Sequence, residues 1–194
     1  MAVKAEGANP SRARGVHLHG DEARVLASGP MRNLFAPWRM EYIGGSPEPG
    51  CLFCRTWEAS PADDRSSLVV RREPAALVMM NKFPYNNGHL MVAPRAHVGN
   101  LTALDDEQTL AVMRLVQRSL EVLEKVMQPE GFNVGVNIGR VAGAGIPDHV
   151  HVHVVPRWNG DTNFLPVVGE VKVINEHLDR TWEKLAEAFT SVEA

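Results

Sequence analysis

The chain has 194 residues, 44% hydrophobic and 22% charged, with a net charge of −3. That suffices for one domain with a proper apolar core, gives no support to a general binder of nucleic acid polymers, which is usually basic, and includes no apolar run long enough to span a bilayer. Cys51 and Cys54 are the only cysteines; with no secretory signal in the first thirty residues, they point to a cytoplasmic protein.

Residues 1–30 are rich in Ala, Gly, Arg, Glu and Ser and poor in large apolar side chains. That composition predicts a mobile tail, in which His17 and His19 are incidental, and a domain over 31–194. Leu68-Val69-Val70 and Ala76–Met80 read as strands joined by a turn near Glu73-Pro74. Tyr85-Asn86-Asn87-Gly88 is a turn signal, and His89–Ala93 is the next strand, ended by Pro94. A long helix follows over Asp105–Gln128. Met113, Val116, Leu120, Leu123 and Met127 form its apolar stripe, Asp105 and Gln108 its capping box, and Pro129 and Gly131 its stop. Phe132–Ile138 reads as a strand, Gly139–Asp148 as a glycine-rich loop, and Asn175–Phe189 as a last helix with Leu178, Trp182, Leu185 and Phe189 on one stripe. Strands grouped around one long helix predict an α+β fold with an antiparallel sheet of about five strands, not β/α alternation.

The segment between loop and last helix, His149-Val150-His151-Val152-His153-Val154-Val155, says most about function. In an extended strand its three imidazoles share one face and its valines the other. The valine side reads as core. The histidine side is a row of groups that titrate near neutrality, roughly 6–7 Å apart. That spacing suits several contacts along an extended substrate such as a chain of phosphates. Cys51-Leu52-Phe53-Cys54 has the spacing of a zinc knuckle, and a redox pair has the same pattern. No strand-then-helix setting of the thioredoxin type is visible around it.

The run His-φ-His-φ-His-φ-φ, with φ apolar, resembles the signature of the histidine triad (HIT) family of nucleotidyl hydrolases and transferases at every position from His149 to Val155. Asn81-Lys-Phe-Pro-Tyr-Asn-Asn-Gly-His89-Leu-Met-Val-Ala-Pro94 and Gly131–Gly139 also resemble family segments. Trp38–Tyr42 and Asn163–Pro166 look most like the branch of bacterial diadenosine tetraphosphate phosphorylases and Fhit-like hydrolases.

The resemblance implies a HIT fold, a homodimer, and cleavage of a nucleotide or dinucleoside polyphosphate at an α-phosphate through a covalent nucleotidyl-histidine. His151 would be the nucleophile, its other ring nitrogen held by the His149 carbonyl. His153 would assist the leaving group and His89 would support the histidine strand. Asn81 would bind ribose. Asn137 and the loop Gly143-Ala144-Gly145-Ile146 would approach the α-phosphate, and Arg157 could add positive charge. Phosphorylases of this type carry Gly-Gly-Ser in that loop. Gly143-Ala144-Gly145 lacks the hydroxyl, so water is as good an acceptor as phosphate. Zinc-bearing relatives imply a structural Cys₂His₂ site of Cys51, Cys54, His97 and His149, with no organic cofactor. Two other readings compete: a hydrolase using catalytic zinc on His149 and His151, and a nucleotide sensor without turnover.

Overall fold

The computed structural model describes residues 49–161, 174 and 176–191. The expectations placed on residues 1–30, Trp38–Tyr42, Asn163–Pro166 and Asn175 lie outside them. Within the described residues the elements are α1 (Leu52–Glu58), β1 (Val69–Arg72), β2 (Ala76–Met80), β3 (Leu90–Pro94), α2 (Asp106–Met127), β4 (Gly131–Val136), β5 (Val152–Arg157) and α3 (Leu178–Ser191). The strands form one antiparallel sheet in the order β1-β2-β3-β5-β4. This is the α+β architecture that the grouping of strands predicted.

The central strands β2 and β3 are buried at every position, because both faces of the sheet are covered. On one face Val78, Met80, Leu90, Val92, Val152 and Val154 pack against Val112, Leu115, Val116, Val122 and Leu123 of α2 and Leu185 and Phe189 of α3. On the other, Leu77, Met79, Met91 and Ala93 pack beneath Phe53 of α1. Continuous apolar strands such as Ala76–Met80 follow from this two-sided cover.

The capping box of α2 forms as predicted. Gln108 N–H donates to Asp105 Oδ1 at 2.8 Å, and Asp105 N–H to Gln108 Oε1 at 3.2 Å. The helix ends with Gln128 in the left-handed region (φ 49°), its N–H on Glu124 O. Its buried stripe is displaced from the predicted one. Val112, Leu115, Ser119 and Val122 lie at its centre, and Met113 is 49% exposed. Ser119 is polar, but its hydroxyl donates to Leu115 O at 2.7 Å and so tolerates burial. The last helix begins at Leu178, three residues later than predicted, and Trp182 Nε1–H donates to Val69 O at 2.7 Å, tying it to β1.

One element is added and one expectation is corrected. The Cys-x-x-Cys segment, for which no element was predicted, is helical, with Cys51 as the N-cap of α1. Seven residues are too few to show an apolar period, and Phe53 and Thr56 are its only fully buried members. The histidine run is strand only from Val152 onward: the chain bends at His149 and is unpaired through His151.

Two glycines shape the approaches to that run. Gly99 lies so close to the following loop that a Cβ there would stand 2.8 Å from Pro147 O. Gly88 (φ +77°) turns the chain into β3 over α2, where a Cβ would stand 2.5 Å from Met127 Sδ. Gly88→Ala is expected to lose about 1–2 kcal/mol from the left-handed backbone alone. Urea unfolding should show a lower midpoint with an unchanged slope; an unshifted midpoint would contradict this account of the turn.

Candidate active site

The backbone delivers the histidines from three directions. Val150 N–H donates to Val98 O at 2.7 Å, pinning the start of the run to the segment that follows β3. His153 lies within β5, opposite Met91 of β3 and Gly135 of β4. His89 immediately precedes β3, and its carbonyl accepts from Asn81 N–H at 2.9 Å. In the register that ends at Val136↔Val152, Asn137 and His151 come next, on the face of Gly135 and His153.

All four histidines of this region are buried, with His149 0%, His89 1%, His151 4% and His153 8% exposed. Their hydrogen bonds assign the tautomers. His151 Nδ1–H donates to His149 O at 3.0 Å, leaving the lone pair on Nε2. This is the contact that the family resemblance implied. His89 Nδ1 accepts from Tyr85 N–H at 3.0 Å, so its proton sits on Nε2 and is donated to His153 Nδ1, also at 3.0 Å. His153 therefore carries its own proton on Nε2. Adjacent rings thus present opposite functions, a lone pair on His151 and an N–H on His153.

The rings of His151 and His153 are 4.7 Å apart between centroids and nearly perpendicular. They are closer than the roughly 6–7 Å set by backbone rise in a regular strand, and His151 lies outside the regular strand. Phe53 packs against His149 at 4.9 Å and His151 at 5.0 Å. Tyr85 lies over His89 at 4.6 Å and His153 at 5.6 Å. Burial lowers the basicity of His149, His151 and His153, against the raising effect of the carbonyl bonds on the first two. His153, with no carbonyl partner of that kind and with His151 beside it, is pushed down to about 4.

His149 departs from the expected row. The bend turns it toward the cysteines, while its Nε2–H donates to Pro94 O at 2.9 Å. Its Nδ1 lies 3.3 Å from Cys51 Sγ, 3.7 Å from Cys54 Sγ and 3.3 Å from His97 Nδ1. His97 Nδ1 is 3.2 Å from Cys54 Sγ. All four candidate ligand atoms lie within 4.8 Å of one another. A tetrahedral ion held by two sulfurs and two nitrogens has ligand–ligand edges of about 3.3–3.8 Å, close to the four separations of 3.2–3.7 Å given above. A carbonyl on the far nitrogen of a ligating histidine is also the usual outer support of a metal site. Burial and the neighbouring Cys51 raise the Cys54 thiol, so a cation there would compensate its ionised form.

The remaining predicted residues are placed less directly. Asn81 Oδ1 accepts from Phe83 N–H at 2.9 Å, shaping the turn that leads to His89. Gly143 (φ +86°) and Ala144 direct their N–H groups to Arg140 O and Gly139 O, while Gly145 is exposed in the same loop. Arg157 does not serve as an available charge for phosphate. Asp161 holds it in a two-pronged ion pair at 2.6 and 2.7 Å, and Asn133 Oδ1 accepts from it too. Asp161 also accepts from Asn86 at 2.8 Å, joining the turn before His89 to the end of β5. Sequence reasoning passed over Phe53, Tyr85 and Asp161. The Tyr-x-x-x-His spacing was a visible signal; the roles of Phe53 and Asp161 depend on contacts distant in sequence.

A HIT domain model matches residues 63–160, half of the chain. The chain is 39% identical over 168 residues to an AP-4-A phosphorylase of Mycobacterium tuberculosis, covering 80% of this chain and 83% of that protein. It is 32% identical over 136 residues to an uncharacterized HIT-like protein of Methanocaldococcus jannaschii, covering 70% of this chain and 98% of that one. A crystal structure of a zinc-bound histidine triad family protein from Mycobacterium smegmatis superposes with a TM-score of 0.59 at 23% identity, over 74% of this chain and 96% of its own, and shares the fold. The chain belongs to the histidine triad family.

The low basicity of His153 has a consequence for stability. Unfolded, its pKa returns to about 6.5. Between about pH 6.5 and pH 4 the unfolded chain therefore binds a proton that the folded one does not, and stability falls on acidification. The loss for this residue totals about 3 kcal/mol. Denaturant unfolding at pH 7 and pH 4.5 should show a smaller acid loss in His153→Gln than in the unaltered protein. Equal losses would refute the assignment.

Proposed function

We propose that the protein cleaves dinucleoside polyphosphates such as diadenosine tetraphosphate at an α-phosphate, through a nucleotidyl adduct on His151. The observation that carries this reading is the opposed tautomers of two touching imidazoles. The His151 Nε2 lone pair attacks the α-phosphorus as the bond to the bridging oxygen breaks. His153 Nε2–H is placed to donate a hydrogen bond to the departing oxygen, which leaves as a polyphosphate anion and needs no proton. The positive charge gained by His151 is stabilised through Nδ1–H on the His149 carbonyl. In the second step the oxygen of water forms the new bond to phosphorus as the bond to His151 Nε2 breaks and the proton of water passes to solvent, or phosphate takes the place of water. Splitting one displacement into two lowers the barrier for each. Depressed basicity keeps both rings neutral at pH 7, as the attack requires.

The M. tuberculosis relative named AP-4-A phosphorylase supports the substrate class. The hydroxyl-free loop Gly143-Ala144-Gly145 supports water as acceptor at least as well as phosphate. Asn81 is assigned to the ribose, and Asn137 with the Gly145 amide to the α-phosphate. His89 acts through His153 by setting its tautomer. Zinc on Cys51, Cys54, His97 and His149 would have four protein ligands and no open position, which makes it structural. Catalytic zinc gripped by His149 and His151 is disfavoured, since His149 Nδ1 faces the sulfurs and His151 Nδ1–H is taken by a carbonyl. A sensor without turnover has no need of the nucleophile.

The reading includes residues 31–194 as the HIT domain behind a tail of 1–30, and the cytoplasm as the compartment, where free Cys51 and Cys54 stay reduced. No helix among the described residues is long and apolar enough to cross a membrane. It also includes a homodimer formed along β4, an edge strand with Asn133, Val134 and Gly135 exposed.

His151→Ala should abolish the covalent adduct and lower turnover at least a thousandfold while much nucleotide binding survives. Brief exposure to labelled diadenosine tetraphosphate, followed by denaturation, reads the adduct. Near-full turnover in the variant would defeat the mechanism. Mass analysis of the products with and without phosphate identifies the acceptor. About one zinc per chain is expected by elemental analysis, with Cys54→Ser losing the metal and melting lower. Metal-free protein that still forms the adduct would place zinc in a structural role, and metal-free protein of undiminished melting temperature would remove it.

A further inference from the structure

Tyr85 is about half exposed, yet it stands beside the histidine cluster. Its ring is 47% exposed. It contacts His89 at 4.6 Å and His153 at 5.6 Å between centroids, tilted by 38° and 32°. The ring thus rests on two imidazoles and leaves much of its surface to solvent. Its main-chain N–H already sets the tautomer of His89, so the side chain is not needed for that task. The loop around it is firmly held: Asn86 donates to Pro156 O at 3.1 Å and to Asp161 at 2.8 Å. Phe83, two residues earlier, is 42% exposed. A large aromatic kept exposed on a fixed loop, in contact with a reacting group, is a poor device for stability and a good platform for a flat ligand.

We propose that Tyr85 is a specificity-determining residue that stacks against a nucleobase of the substrate. The His153 ring neighbours both the His151 ring, at 4.7 Å, and the Tyr85 ring, at 5.6 Å. A nucleotide with its α-phosphorus at His151 can extend past His153 to reach the ring. Stacking tolerates any base, because every base has a π-face. The side chain therefore sets the requirement for a base more than the choice among bases. The inference rests on the nucleotidyl-transfer reading above.

The test compares the full-length protein with Tyr85→Phe, Tyr85→Leu and Tyr85→Ala on diadenosine tetraphosphate and on adenosine 5′-tetraphosphate, which lacks the second nucleoside. AMP affinity is measured alongside by calorimetry. Stacking predicts that Leu and Ala raise KM for diadenosine tetraphosphate about tenfold, with kcat little altered and Phe restoring the native value. If the stacked base belongs to the transferred nucleotide, AMP affinity falls by the same factor and both substrates suffer alike. If it belongs to the leaving nucleotide, AMP affinity holds and the preference for diadenosine tetraphosphate over adenosine tetraphosphate is lost. A fall in kcat at constant KM, or failure of Phe to restore KM, would make Tyr85 a packing support for His153 and overturn the proposal. Native protein that turns over neither substrate would refute the parent reading; AMP affinity equal in all four proteins, together with unchanged substrate KM where turnover exists, would refute the stacking.

Discussion

Every atom of His149 that can hydrogen-bond or bind a metal is committed, and the site depends on how. Nε2–H is given to Pro94 O, Nδ1 faces two sulfurs and a second imidazole, and the carbonyl receives His151 Nδ1–H. Because the residue is wholly buried, none of these groups can exchange its partner for water, and each bond holds the others in place. The middle histidine consequently has one tautomer, with its lone pair on Nε2. A cluster that looks separate from the chemistry, the two cysteines and His97, thus fixes the orientation of the residue whose backbone steers His151.

The two-sided cover of the sheet serves the same end. One face is a conventional apolar contact with α2 and α3. Among the described residues the other receives the short α1, whose Phe53 contacts both His149 and His151. Two turns of helix with a cysteine at its N-cap are marginal alone. Joined to His97 and His149 through the donor cluster, α1 becomes a lid on one side of the imidazoles, and Tyr85 flanks the other side through His89 and His153. Burial lowers the basicity of His149, His151 and His153 by desolvation while leaving their edges to hydrogen-bond. The arrangement therefore links packing to reactivity: burial that keeps the rings neutral also gives them fixed directions.

The chain Tyr85 N–H, His89, His153 is the counterpart of the bond between His151 and His149. One ends in an acceptor on the backbone and the other begins with a donor from it, so the two central rings are oriented in opposite senses. A donor and a lone pair side by side on one surface can handle the two ends of a bond that breaks and forms at phosphorus. Neither imidazole alone defines that polarity; it comes from where each hydrogen-bond chain meets the backbone.

Much of this was legible in the chain itself. The period of the helices, the apolar runs of the central strands, the capping box at Asp105 and the His-x-His-x-His pattern are local signals, and local physics acts on neighbours in sequence. Those signals established the α+β class, and the motif's resemblance supplied the candidate histidines and the four candidate metal ligands. Only the tertiary structure decided that His149 leaves the row for the cysteines, that Arg157 is spent on Asp161, that Met113 lies outside the buried stripe of α2, and which nitrogen of each imidazole holds its proton. Each of these depends on a partner brought close by folding: Pro94 lies 55 residues before His149 and His89 lies 64 before His153. A pattern of side-chain types says which groups can react; the direction of a hydrogen bond between distant segments says which atom of each is left to do so.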